Sequence, residues 1–294
     1  MQSKILTIGD CGVDVYPEEG YGYMGGMAFN VACKAAAFGS KSAYMGVLGT
    51  DYNSRQIRDY AQSVGVDLSH CATEEGECLY VLVKIIDGER HFSAGNRGGV
   101  QRLFPLQFQE GDIDYIKSFD LVHLTFGGYI EPLIPTVAAT GIPTSFDFAT
   151  FVTPEKESII AEIAPHISVA VMSVGEAMPE EEIKEKLCYL RSFGPPVVIA
   201  TRGEKGSMLY DGHNFVSFGI IPCKVVDTLA AGDSFIAGAI STLAKYPECL
   251  TRDGNAKPLP VEVATEALKN GATMSSKTLQ MQGSTGKPFM LEKK

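Results

Sequence analysis

The 294-residue chain is 45% hydrophobic and 20% charged, ordinary values for a globular protein with room for one large α/β domain. Its 25 basic and 35 acidic side chains leave a formal charge of −10 with no basic stretch, which argues against nucleic acid or an anionic membrane surface as a partner. No apolar run approaches the roughly 18 residues of a membrane span, and the seven scattered cysteines form no Cys-x-x-Cys pair; reduced thiols and a cytoplasmic location are expected.

The first candidate strand is Lys4 to Gly9, followed by Asp10-Cys-Gly-Val-Asp14. A carboxylate just past the end of a parallel strand lies where open α/β sheets bind ligands, so Asp14 is either a ligand group or a solvated loop acid. Gly20, Gly22 and Gly25 formally match a dinucleotide fingerprint, but they follow Pro-Glu-Glu rather than a strand, and the match is set aside. Gly25-Gly26 before a helix of small residues is more telling. Paired glycines admit a ligand close to the backbone, and Asn30, one turn into the helix, can donate to and accept from hydroxyls. Val47-Leu-Gly49-Thr-Asp51 reads as architectural.

From Glu77 to His91 the pattern turns β-rich around Asp87-Gly88, a hairpin signal. Alternation is poor from Leu82 to Ile86, which predicts a ribbon covered on both faces. Arg97, in the following Gly-rich loop, reads as either solvated or facing a ligand. Beyond it strands and helices alternate, predicting a parallel sheet covered on both sides. Strand candidates begin at Asp120, Pro143, Ile167 and Val197. His123 reads as a core histidine, and Asp147, ending a strand, as a secondary ligand candidate. Glu176 reads as the start of an acidic helix running to Glu185, favoured there by the helix dipole. Thr201-Arg-Gly203-Glu-Lys-Gly206 reads as a strand-to-strand turn, and the chain contains no G-x-x-x-x-G-K-[ST] loop.

Val225 to Tyr246 is the most informative stretch. After Asp227-Thr-Leu-Ala-Ala-Gly-Asp233, the residues Phe235, Ile236, Ala239, Ile240, Leu243 and Ala244 recur at helical spacing. Small residues before a helix leave its first N–H groups uncovered, a ready anion site. Asp233 is then either a first-turn acid favourable to any helix or a group that takes a proton from a nucleophile attacking a phosphoryl group held there.

Asp227 to Phe235 resembles the C-terminal signature of the ribokinase (PfkB-type) sugar kinases, commonly D-T-x-G-A-G-D-x-F. Ala230 stands where glycine is commoner, so it has to reach its conformation without glycine's freedom. Gly25-Gly26-Met-Ala-Phe-Asn30-Val-Ala is similar to the family's N-terminal G-G-x-x-x-N-x-A. Ser173-Val-Gly-Glu176 resembles its N-x-x-E with serine for asparagine, and Thr201 to Gly206 resembles its T-x-G-x-x-G turn. The resemblance spans almost the whole chain. It implies a ribokinase-like α/β fold, a central mostly parallel sheet with helices on both faces plus a small β-strand lid. The whole of 1–294 would be one domain, with lid segments at about 14–25 and 77–100.

The resemblance further implies roles. Asp233 would be the general base, with the amides of Ala230, Ala231, Gly232 and Asp233 as the anion hole. Asp14, Gly25, Gly26 and Asn30 would meet the sugar, and Thr201, Gly203 and Gly206 the phosphates of ATP. Glu176 would organise waters on Mg²⁺, Asp227 would sit at a monovalent cation such as K⁺, and Asn270 to Gly283 would close over adenine. A homodimer would form through the lid. Residues 9–17 with Phe146-Asp147-Phe148 look most like the fructoselysine (fructosamine) 6-kinase branch, and Asp10, Asp14 and Asp147 would suit an amine-bearing substrate. Ribose, fructose, ketodeoxygluconate and nucleosides stay open, as does a non-catalytic sugar or nucleotide sensor on the same fold.

Overall fold

The computed structural model describes residues 2–86, 89–93 and 95–292. Among these, seven parallel strands lie in the order Val66–Asp67, Lys41–Met45, Lys4–Ile8, Leu121–Leu124, Thr144–Asp147, Val169–Ser173 and Val197–Thr201. Ser207–Tyr210 and Phe215–Phe218 extend the last edge antiparallel. Val169–Ser173 and Val197–Thr201 read as near-continuous apolar runs because both faces are covered. Leu6, Ile8, Ala170 and Met172 point to one side, against Ile134, Ile160, Ile183 and Leu187 of three helices. Their neighbours Ile5, Val169 and Val171 point to the other, against Val31, Phe235, Ile240 and Leu268.

Three helices form that second layer: Met27–Phe38, Ala231–Leu243 and Val261–Leu279. The last two touch backbone to backbone at Gly238, where an added Cβ would lie 2.5 Å from the Asn270 carbonyl oxygen. Only glycine permits that approach. Asp51 caps the Tyr52–Val64 helix, accepting from the Ser54 amide at 3.1 Å, which bears out its architectural reading. His123 is buried in its strand, with Nδ1 2.9 Å from Ser145 Oγ, and burial pushes its pKa down to about 3.

A second sheet stands over the first in the order Phe289–Met290, Tyr21–Gly25, Gly12–Tyr16, Leu79–Ile86, Glu89–Ser93. The Asp87-Gly88 turn lies outside the described residues, but the strands flanking it pair antiparallel as the pattern predicts. The sheet is larger than its sequence pattern suggests. Its first strand begins at Gly12, and Phe289–Met290 adds an edge that two residues are too few to announce. Tyr16, Tyr21 and Tyr23 pack ring against ring on it, with centroids 5.3–5.8 Å apart.

Chain order places the central strand Lys4–Ile8 between neighbours reached in opposite directions, Lys41–Met45 and Leu121–Leu124. The crevice beyond the carboxyl ends of such strands is where doubly wound sheets take their ligands. Gly238→Ala tests the helix contact beneath it. Alanine gains about 1 kcal/mol in helix propensity, but forcing two backbones apart costs about 1–3 kcal/mol or more. The expected outcome is a net loss of stability, read as a lower urea midpoint.

Candidate active site

Four of the parallel strands end in chemistry-bearing residues along one rim of the sheet. Asp10 follows the first. Its carboxylate accepts the Met27 amide at 3.0 Å, the Ala28 amide at 3.1 Å and the Thr125 hydroxyl at 3.2 Å. A residue 17 positions away thus caps the Met27–Phe38 helix, whose own N-cap, Gly26, has no side chain to do so. The chain passes so close here that a Cβ on Gly26 would fall 2.5 Å from the Cys11 Cα, and φ at Gly26 is 96°. Asp14 lies on the second sheet, with one carboxylate oxygen 3.1 Å from where a Gly25 side chain would begin.

Asn30, one turn into the helix and buried, donates its amide to Asp233 Oδ2 at 2.8 Å. Asp233 occupies the first turn of Ala231–Leu243. Ala230 enters that helix in the left-handed region, φ 58° and ψ 17°, a conformation that glycine takes freely and alanine does not. The Ala231 amide leans on the Thr228 carbonyl at 3.3 Å. Among the described residues no backbone carbonyl accepts from the Gly232 or Asp233 amides, and space above Gly232 is open to 4 Å. These are the uncovered donors of a helix start.

The Asp233 carboxyl is half-buried and poorly solvated, and desolvation pushes its pKa from near 3.8 up to about 7. The Asn30 hydrogen bond opposes that rise, the carboxylates of Asp147 and Asp10 add to it, and the Lys34 ammonium opposes it. Asp147 ends its own strand. Burial raises it to about 6, against the pull of the Ala149 amide at 2.8 Å. Lys34 escaped notice in the sequence, although a lysine inside an Ala-rich helix is the signal for it. It is buried one turn past Asn30, donates to the Ser284 carbonyl at 2.5 Å, and is lowered by desolvation.

A second group forms where Val169–Ser173 and Val197–Thr201 end side by side. Ser173 Oγ and Thr201 Oγ1 are 3.1 Å apart. Gly203 and Gly206 both have positive φ, 53° and 83°, and Glu176 Oε1 accepts the Glu204 amide at 3.1 Å beside Gly203. The acidic helix begins at Glu180 rather than Glu176, because Pro179 supplies the extended residue before its first turn. Glu176 is therefore an exposed turn residue reaching across to the Thr201–Gly206 loop. Asp227 is buried elsewhere. It accepts the Leu229 amide at 2.9 Å and the Gly283 amide at 2.6 Å, tying the entry to Ala231–Leu243 to the segment after Val261–Leu279.

The structure thus gathers Asp14, Gly25, Gly26, Asn30 and Asp233 into one cluster and Glu176, Thr201, Gly203 and Gly206 into another. Among the described residues no three His, Cys, Asp or Glu side chains form a metal cluster, and no helix is long and apolar enough to cross a membrane.

The fold is that of ribokinase-like α/β proteins. A ribokinase from Arabidopsis thaliana complexed with ribose and ATP superposes with a TM-score of 0.77 at 20% identity, over 99% of this chain and 96% of that one. The pfkB family carbohydrate kinase family matches residues 12–288. Fructosamine kinase FrlD of Bacillus subtilis is 30% identical over 98% of this chain and 96% of its own length. Fructoselysine 6-kinase of Escherichia coli is 30% identical over 95% and 98%. The chain belongs to the pfkB family of carbohydrate kinases and is a phosphotransferase acting on a sugar.

Asp233 makes stability pH-dependent. Because its folded carboxyl holds a proton more tightly than the unfolded one, ionising it costs stability. That cost is absent below about pH 4 and complete above about pH 7. Asp233→Asn removes it, so thermal melts are expected to show the variant gaining on the parent protein as pH rises from 4 to 7 and holding the gain above.

Proposed function

We propose that the chain transfers the γ-phosphoryl group of ATP to a primary hydroxyl of a sugar derivative, the 6-hydroxyl of fructoselysine. The observation that carries the proposal is the pairing of Asp233, raised to about 7, with open helix-start amides in the same turn. A base with a pKa near the working pH is effective in proton transfer. The relatives named as fructosamine and fructoselysine kinases support the substrate, and the ATP-bound structural neighbour supports the donor.

In this reading the sugar lies against Gly25 and Gly26, held by Asp14 and Asn30. Asn30 occupies Asp233 Oδ2 and leaves Oδ1 to take the proton from the attacking hydroxyl. The hydroxyl oxygen forms its bond to the γ-phosphorus as the bond to the β-phosphate oxygen breaks, and ADP departs. The amides at Ala230 to Asp233, chiefly those of Gly232 and Asp233, hold the developing charge, where most of the catalysis in phosphoryl transfer arises. Thr201, Gly203 and Gly206 would meet the nucleotide phosphates. A lone exposed carboxylate suits Mg²⁺, which keeps most of its waters. Glu176 would hold the ion through water, and the ion would supply charge neutralisation on the phosphates. A monovalent cation at Asp227 has weaker support, since two backbone N–H groups already point at that carboxylate.

ADP release is measured with fructoselysine, fructose, ribose, ketodeoxygluconate and adenosine, each with Mg²⁺, with and without K⁺. Fructoselysine is expected to stimulate turnover selectively, and kcat/KM to rise through about pH 7 as Asp233 ionises. Asp233→Asn is expected to lower kcat by about two to four orders of magnitude, the usual scale for a general base. A near-parental rate in that variant removes Asp233 from the mechanism. Silence across the panel with ATP still bound supports a sensor instead.

A further inference from the structure

Next to the proposed sugar position lies a cleft of about 460 Å³ between the second sheet and the rim of the first. Two strained loops form part of its wall. Arg97, Gly98 and Gly99 have φ of 53°, 115° and 53°, and Gly128 and Tyr129 have 86° and 59°. The Tyr129 hydroxyl donates to the Arg97 carbonyl at 3.4 Å, so each loop rests on the other. Among the described residues, the non-glycine positions with positive φ are these two, Arg97 and Tyr129, with Ala149 and Ala230, which adjoin Asp147 and Asp233. Strain of this kind persists only where the surroundings impose it, and it concentrates at ligand sites.

The lining has a simple chemical division. Leu79, Val81 and Phe126 present an apolar wall, while Asp10, Arg97 and Glu131 carry charge. Asp10 is already committed to two helix amides and Thr125. Among the described residues no hydrogen bond or ion pair engages the Arg97 guanidinium or the Glu131 carboxylate. One charge of each sign therefore remains in a cleft that also presents an apolar wall and includes Asp10, beside Gly26.

We propose that this cleft receives the amino-acid part of the substrate, with Arg97 binding its α-carboxylate, Glu131 its α-ammonium, and Leu79, Val81 and Phe126 its methylene chain. This rests on the sugar-kinase reading above and makes Arg97 and Glu131 the residues that select an amino-acid adduct over a bare sugar. Guanidinium is the natural partner of a carboxylate, and an aliphatic spacer ending in a zwitterion calls for the apolar surface and the two opposite charges that line the cleft.

The test compares fructoselysine with two analogues, the fructose adduct of 1,5-diaminopentane, which lacks the carboxylate, and Nα-acetyl-fructoselysine, which lacks the ammonium. Arg97→Ala is expected to raise KM for fructoselysine by about tenfold, the scale of one charge-assisted hydrogen bond. Its kcat should stay within about twofold, the shift of a binding contact rather than a chemical one, and KM for the decarboxylated adduct should be unchanged. Glu131→Gln is expected to raise KM for fructoselysine while sparing the acetylated analogue. Equal KM changes for all three substrates in either variant overturn the assignment, because that is how a loop that merely lost its shape behaves. If the parent protein phosphorylates fructose but no adduct, the substrate reading and this one fall together. If it phosphorylates fructoselysine and Arg97→Ala is indifferent to the carboxylate, only this one falls.

Discussion

A single hydrogen bond, from the Asn30 amide to the Asp233 carboxylate at 2.8 Å, joins the starts of two helices that are 203 residues apart in the chain. Each helix start is fragile by itself. The Met27–Phe38 helix has a glycine where a capping side chain belongs, and Ala231–Leu243 opens on an alanine in the left-handed region. The N-terminal helix is secured by Asp10, and the C-terminal one by Asp227, whose carboxylate spans Leu229 and Gly283. With both ends fixed, the hydrogen bond has a defined geometry, and it engages one oxygen of the Asp233 carboxylate.

The electrostatics follow from the same arrangement. Two carboxylates that follow parallel strands, Asp10 and Asp147, lie within electrostatic reach of Asp233, and a buried ammonium, Lys34, lies near it. Desolvation and mutual repulsion outweigh the Asn30 hydrogen bond and Lys34, so Asp233 rises to about 7 rather than falling. A helix N-terminus normally lowers a carboxyl group. Here burial wins.

Much of this was legible from residue order. Apolar runs marked the strands because both faces of the sheet are covered, and the spacing from Phe235 to Ala244 marked the helix. Gly25-Gly26 and Ala230 stand out in the sequence as backbone positions with special demands, and Gly26 and Ala230 carry positive φ. What stayed hidden depends on contacts between distant segments. Asp10 looked like a ligand group, yet its carboxylate is occupied by helix amides, a pairing no local pattern encodes. The edge strand Phe289–Met290 is too short for a periodicity to appear. Glu176 reads as a helix start because acids favour that position, but Pro179 puts the boundary four residues later. The strained pair Arg97 and Tyr129 lies on loops from different parts of the chain.

The partnership of first and last segments also has a consequence in time. Translation at roughly 5–20 residues per second delivers Asn30 about 10–40 s before Asp233. Throughout that interval the N-terminal helix can be capped by Asp10, but Lys34 has neither the Ser284 carbonyl nor the Asp233 charge to offset its burial. Until then Lys34 lacks the partners that the folded chain gives it. The loop after Val261–Leu279 then supplies the Ser284 carbonyl to Lys34.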